Sequence, residues 1–471
     1  MSVATVLGLV PVVFLTAFFA AVGASIGSLT NVLVYRIPRG EGVVTPPSRC
    51  PHCGTRLTWR ENIPVFGWVL LRGKCRFCYG PISARYPLVE AFVGVLFGAV
   101  FLVWFGLNGS SGVLGVDVGP WSPEWAANGL GGAWPILVVA LLMLASLVAM
   151  TLIDAETFTI PLILAWVPTV VAVVVLPGHA LVWTLEHGAL YPSSAGLWRG
   201  ADGARWFSAE GWLWSLPTPG FRDWGWIGGS IGGVVGLGVS AVLVKLGLIG
   251  RSFADYEAWE KEALAAQERD GEGSDGGGAE GDPQAGGGAE MWVHYPHARR
   301  EMVKELAFLA VPAGLCWLGA WGAMRLAMGA ADPVFDEVSG RVFPGVVAPA
   351  WLVVLSGVLL GYLVGGGVVW GVRIFGSLLF GKEAMGIGDV HLMAAVGACF
   401  GWIDAVVAFF VAPFFGLTWV VAGALAGGKL RRAMPYGPWL ALGTFVVVLG
   451  KPVVEAGLTA LFGSATGIDL P

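Results

Sequence analysis

Apolar runs of roughly 18 residues or more recur along the whole chain, and no other feature narrows its folding options so far. A run of that length crosses ~30 Å of hydrocarbon as a helix. Inside hydrocarbon, only a helix or a closed barrel pairs every backbone amide internally. The runs predict spans near 5–35, 87–106, 134–153, 160–177, 225–249, 305–326, 347–370, 390–426 and 438–462, with two crossings in the 390–426 stretch. Of the 471 residues, 56% are hydrophobic and 13% charged, whereas soluble domains typically carry ~25% charged residues. The expected fold is all-α, a polytopic transmembrane helical bundle. The first run, from about Val3 to Val34, is too long for the apolar core of a cleaved signal and lacks a basic lead-in, so it reads as a retained span.

The connecting segments set the orientation. Residues 36–86 carry Arg36, Arg39, Arg49, Arg56, Arg60, Arg72, Lys74, Arg76 and Arg85, while residues 107–133 carry no Lys or Arg. The short segment "GGKLRRAMPYG" at 427–437 is basic again. Lys and Arg accumulate on the cytoplasmic side, so both basic segments are expected there. The organisation that follows is a first span (1–36), a cytoplasmic loop (37–86), helices with an outer insertion at 178–224 (87–249), a cytoplasmic linker (250–304) and a second set of helices (305–471). The linker opens with a charged helical pattern and continues as "GEGSDGGGAEGDPQAGGGAE", too polar and glycine-rich to bury a core.

Four of the six cysteines form two CxxC pairs, "CPHC" at 50–53 and "CRFC" at 75–78. Each tight CxxC turn presents two thiolates, and two such turns complete a tetrahedron around Zn²⁺. Cys50, Cys53, Cys75 and Cys78 are therefore the candidate ligands of a structural zinc, the spacing falling just beyond the usual range. Two disulfides and an iron–sulfur cluster are the alternatives. A cytoplasmic loop disfavours disulfides. The loop mixes basic and aromatic residues, as nucleic-acid binders do. Its tethering to spans at both ends argues instead for work at the membrane surface, with no nucleic acid as partner.

Two carboxylates stand out against the apolar background. Asp154 follows "LVAMTLI", and Asp389 lies in "AMGIGDVHLMAAVG". Each alone reads equally well as an ordinary interfacial or helix-capping acid. Counting spans, however, puts both on the same membrane face. Two carboxylates converging on one water share a proton between them, one acting as base and the other as acid. That arrangement suits peptide hydrolysis without a metal or covalent nucleophile. Gly386 and Gly388 remove side chains beside Asp389 and would let an extended substrate backbone approach.

An ordered set of motifs carries a family resemblance. "GSLTNVLVYRIPRG" at 27–40, the cysteine loop at 48–90, "TLIDAETFTIP", "MGIGDVHLMAAVGACFGW" and "MPYGPWLALG" at 434–443 together resemble the type IV prepilin peptidases, a branch of the GxGD intramembrane aspartyl proteases. The resemblance implies a multi-pass protein of the bacterial inner (cytoplasmic) membrane that cuts the basic leader from prepilins or secretion pseudopilins. Asp154 and Asp389 would be the catalytic pair, and Gly386, Gly388 and His391 would contact the substrate. The family implies methylation of the new N-terminus from S-adenosylmethionine, for which Glu61, Asn62, Arg85 and Glu90 are the polar residues to test. His391 stands where the family usually has lysine, Glu156 is the second acid of the first motif, and Leu162 replaces an acid. An inactive zinc-stabilised scaffold of the same fold and a proton-coupled transporter using the acids as a relay are the competing functions.

Overall fold

The computed structural model describes residues 3–107, 121–194, 197–207, 224–253, 297–332, 334–336, 341–381, 383–425 and 435–463, with isolated positions between 255 and 262. Nearly every regular element among them is helical: α1 (Val3–Arg36), α2 (Phe66–Leu70), α3 (Arg85–Phe101), α4 (Gly129–Thr157), α5 (Leu162–His187), α6 (Trp224–Lys245), α7 (Ala298–Ala330), α8 (Ala350–Phe380), α9 (Ile387–Phe400), α10 (Trp402–Leu425), α11 (Gly437–Leu449) and α12 (Lys451–Phe462). Eight helices among the described residues are long and apolar enough to cross a membrane. The chain is a multi-pass membrane protein.

The centre of the bundle is α4. Val139, Met143, Leu144, Leu147, Met150 and Ile153 have no exposed surface, because this helix is apolar on all sides and its neighbours cover each of them. Beside it lies α9, whose Leu392, Met393, Ala395, Val396 and Ala398 are equally buried. Close approach replaces hydrophobic driving force inside a bilayer. A Cβ on Gly361 of α8 would run into the Gly397 carbonyl of α9, and a Cβ on Gly397 into the Gly361 carbonyl. The same device joins α6 to α7 at Gly228 and Gly319. This α6–α7 hairpin packs on itself and against α8, leaving most of α7 to lipid.

Several sequence expectations need correction. The stretch expected as one span over 438–462 is broken: α11 and α12 meet at 96°. Gly450 sits at the break and a proline follows within the first two positions of α12, a pair that stops one helix and starts another. The 390–426 stretch divides at Gly401, whose φ of +97° and ψ of 160° suit glycine alone. With 14 residues, α9 reaches about 21 Å, less than the hydrocarbon thickness. The expected linker 250–304 is too long at its far end, since α7 begins at Ala298. The all-α expectation holds for the bundle, and two small sheets accompany it. Within the 178–224 insertion, β1 (Tyr191–Ser194), β2 (Leu197–Arg199) and β3 (Arg205–Phe207) form an antiparallel sheet that pairs Trp198 with Trp206, both buried. In the 327–346 segment, β4 (Val334–Asp336) pairs with β5 (Arg341–Phe343). Most of the linker, most of the basic 427–437 segment, and residues 108–120 and 208–223 lie outside the described residues.

Candidate functional site

One end of the bundle gathers the start of α3, the end of α4, the start of α5, the end of α8 and the starts of α9 and α11. Asp154 occupies the last turn of α4, which closes at Phe158 in a left-handed conformation whose N–H bonds to the Asp154 carbonyl. Asp389 occupies the first turn of α9, where its N–H bonds to the Gly386 carbonyl at 3.2 Å. Both side chains are buried, Asp154 at 5% and Asp389 at 8% exposure. The two carboxylates lie close enough to act on one another electrostatically.

Two residues pin this pair, and neither was singled out from the sequence. Gly437, the first residue of α11, donates its N–H to Asp154 Oδ2 at 3.0 Å. An acidic group at a helix N-terminus takes up an amide the helix leaves unpaired and faces the positive end of its dipole. Ile160, in the turn between α4 and α5, lies against both glycine-bearing segments. A Cβ at Gly388 would sit 2.9 Å from Ile160 Cβ, and one at Gly437 would sit 3.1 Å from Ile160 Cδ1 and 2.7 Å from Asp154 Oδ2. The only signal for Gly437 in the sequence is its place in "MPYGPWLALG"; nothing local ties it to a carboxylate 283 positions away. Tyr436 precedes it, and its phenol interacts electrostatically with Asp389.

Gly386 and Gly388 both precede Asp389, and a Cβ at Gly386 would meet Asp389 Oδ2 at 3.5 Å. His391 follows Asp389 by two positions on α9. Positions i and i+2 of a helix point to different sides, and the His391 ring lies against Trp166 of α5, with centroids 6.2 Å apart.

The cysteine loop brings Cys50, Cys53, Cys75 and Cys78 together, their sulfurs all within 4.8 Å of one another. The four are free thiols, with Cys50 Sγ and Cys78 Sγ 3.9 Å apart, against ~2.0 Å for a disulfide. A Zn–S bond of ~2.3 Å sets tetrahedral sulfurs about 3.8 Å apart, so the donor set fits this ion. The Thr55 hydroxyl, and then its backbone, bring the Cys53 thiol down to about 6. Backbone amides of Cys78 and Phe77 lower Cys75. Cys78, although the Gly80 amide favours its thiolate, is pushed up to about 11 by burial and by its neighbouring thiols. Four such groups cannot all ionise together without a cation between them.

The polar residues expected to hold S-adenosylmethionine are mostly engaged with the protein itself. The Glu61 carboxylate is taken by the Thr58 hydroxyl, by the Thr58 N–H at 2.8 Å and by Arg76 at 3.1 Å. These contacts, the hydroxyl first, hold its carboxyl down to about 2. Arg85 pairs with Glu156, tying the start of α3 to the turn that carries Asp154. Glu90 accepts the Val65 N–H at 2.7 Å and so anchors α2 to α3. The backbone N–H of Asn62 donates to the Trp59 carbonyl.

A family model described as the bacterial peptidase A24 N-terminal domain matches residues 21–104. A prepilin leader peptidase/N-methyltransferase of Myxococcus xanthus is 35% identical over 195 residues, covering 41% of this chain and 48% of that protein. The enzyme of the same name from Klebsiella pneumoniae is 33% identical over 185 residues, covering 36% of this chain and 72% of that protein. The one from Neisseria gonorrhoeae is 31% identical over 172 residues, covering 31% of this chain and 51% of that protein. The chain thus spans about half the length of two of these relatives and more of the third. No solved structure matches it.

Proposed function

The chain belongs to the prepilin leader peptidase/N-methyltransferase family, and on that premise we propose that it is an aspartyl endopeptidase removing the basic leader from type IV prepilins or secretion pseudopilins. The reading is carried by one observation: Asp154 and Asp389, distant in sequence, share one buried site closed by the α11 N-terminus. By the distribution of Lys and Arg that end is the cytoplasmic one, in the inner membrane.

In this mechanism the dyad holds one proton. The ionised carboxylate takes a proton from water as the water oxygen forms a bond to the scissile carbonyl carbon. The protonated carboxyl gives its proton to the carbonyl oxygen. Collapse of the tetrahedral intermediate breaks the C–N bond, with a proton returned to the leaving amine. Gly386 and Gly388 leave the substrate strand room at Asp389, and Gly437 holds Asp154 in place. Cys50, Cys53, Cys75 and Cys78 would hold a zinc ion that stabilises the loop, since four sulfur ligands leave no open position. The relatives' name also pairs cleavage with N-methylation, and that half comes to this chain as a proposal resting on the name. Glu61, Arg85 and Glu90 already serve contacts within the protein, pairing with Arg76, Glu156 and the Val65 N–H.

The test is co-expression with a prepilin. Asp154→Asn and Asp389→Asn should each accumulate in the membrane yet leave the leader uncut. Full cleavage by either variant would overturn the assignment, and accumulation without cleavage by the wild-type chain would favour the inactive scaffold.

A further inference from the structure

Arg373 lies near the end of α8 and is 3% exposed. A buried guanidinium in an apolar helix is costly unless every side of it is partnered. Here the partners come from three parts of the chain. Its Nε donates to Glu305 Oε1 of α7 at 2.9 Å, and Glu305, also 3% exposed, accepts the Trp370 indole N–H on its other oxygen at 2.9 Å. Its Nη1 donates to the Glu383 carboxylate and to the Met385 carbonyl. Its guanidinium stands 5.1 Å over the ring of Phe253, which follows α6. Phe253 is itself fixed by its N–H on Glu301 Oε2 of α7 at 2.8 Å.

Two of these contacts fall on the short segment that connects α8 to Asp389. The same segment is gripped a second time, where Ser377 Oγ accepts the Ala384 N–H at 3.1 Å and the Ser377 carbonyl accepts the Gly381 N–H at 3.0 Å. The next residue after Met385 is Gly386, whose carbonyl takes the Asp389 N–H and opens α9. The path from Arg373 to Asp389 is therefore a few residues of backbone with both ends held. An ion pair serving only to dock α7 on α8 would need Glu305 alone. The fork of the guanidinium reaches past it to the carbonyl just before the glycines, which a lysine's point charge cannot do while also meeting Glu305.

We propose that Arg373, locked in place by Glu305 of the α6–α7 hairpin, is a positioning residue that sets the height and direction of the first turn of α9 and hence of Asp389. The kinetic part of this inference rests on the peptidase reading. The hairpin is then more than bulk in the bilayer: its Glu305 decides whether Arg373 can hold the loop.

The experiment uses the full chain in lipid nanodiscs, with Arg373→Lys, Glu305→Gln and Glu383→Gln. Glu383 is the gentler site, its side chain being 28% exposed, and it keeps the test alive if the buried variants do not accumulate. Prepilin cleavage is measured per folded molecule, and hydrogen exchange of residues 383–390 is followed by mass spectrometry. The expected result is a kcat lowered ~10–100-fold by Arg373→Lys with KM within about twofold, because a displaced catalytic group costs turnover more than binding. Glu383→Gln should lower kcat by about 3–10-fold. Exchange over 383–390 should quicken in each variant while that of α4 stays as in the wild type. Unchanged kcat per folded molecule, or unchanged exchange in this segment, overturns the proposal, since a merely structural pair would reduce only the amount of folded protein. If the wild type cuts no prepilin, the peptidase reading fails by itself, and the exchange data still decide whether Arg373 holds the loop.

Discussion

Replacing Gly437 with alanine tests the closest contact in the site. A Cβ there would lie 2.7 Å from Asp154 Oδ2 and 3.1 Å from its Cγ. Ordinary contact begins at 3.4 Å, so the carboxylate must retreat by about 0.7 Å (3.4 − 2.7). It cannot do so freely, because Asp154 is 5% exposed and Ile160 Cδ1 would itself be 3.1 Å from the new methyl. A misplacement on the order of 1 Å costs roughly 10²-fold in rate. Gly437→Ala should therefore lower kcat about 10–100-fold, or ~1.4–2.7 kcal/mol of barrier, with KM little changed. The backbone is no obstacle: Gly437 is not among the residues at positive φ, so alanine fits the first turn of α11 without strain. The assay is steady-state cleavage of a purified prepilin in nanodiscs, with thermal stability measured alongside. A kcat within about twofold of wild type would refute the argument that the α11 N-terminus sets Asp154.

The remaining predictions concern the cysteine loop and its junction with the bundle. Cys75→Ser should lower bound zinc from one ion per chain to substoichiometric levels by elemental analysis, and cobalt-loaded protein should lose its sulfur-to-metal absorption. Zinc chelation should expose residues 50–80 to protease while leaving the helices intact. Glu61 has its carboxyl held down to about 2 against an ordinary 4.5, so the ionised form is the one the loop stabilises. That contribution is complete above about 4.5 and is lost as pH falls through about 2, so carboxyl NMR should find Glu61 still ionised at pH 3.5, and Glu61→Gln should remove the pH dependence. Glu156→Gln breaks an ion pair whose side chains are 40% and 48% exposed. Its effect on stability should stay under about 1 kcal/mol, read from thermal melting in detergent.

What could be read from the sequence depended on locality. A span declares itself by its own composition, because the bilayer demands about 20 apolar residues in a row. Two CxxC turns declare a thiolate cluster, because each turn builds half of it unaided, and the structure closes the four sulfurs to within 4.8 Å. Asp154 and Asp389 were conspicuous because an acid in apolar surroundings is rare. The break at Gly450 was written in the sequence as Gly followed closely by Pro, yet the apolar run concealed it. The side chain His391 packs against was not legible, because the turn of the helix carries its ring toward Trp166 of another helix.

By itself, then, the chain determined its medium, its helices, its thiolate cluster and the identity of two unusual acids, since each follows from a few adjacent residues. Tertiary structure alone decided that the α11 amide meets Asp154, that Ile160 fills the space between the glycine-bearing segments, and that Glu305 and Arg373 join the α6–α7 hairpin to the turn before Asp389. These are pairings between distant segments whose partners carry no local mark. They arise only when packed helices bring a buried donor and a buried acceptor to the same depth, where neither can be left without the other.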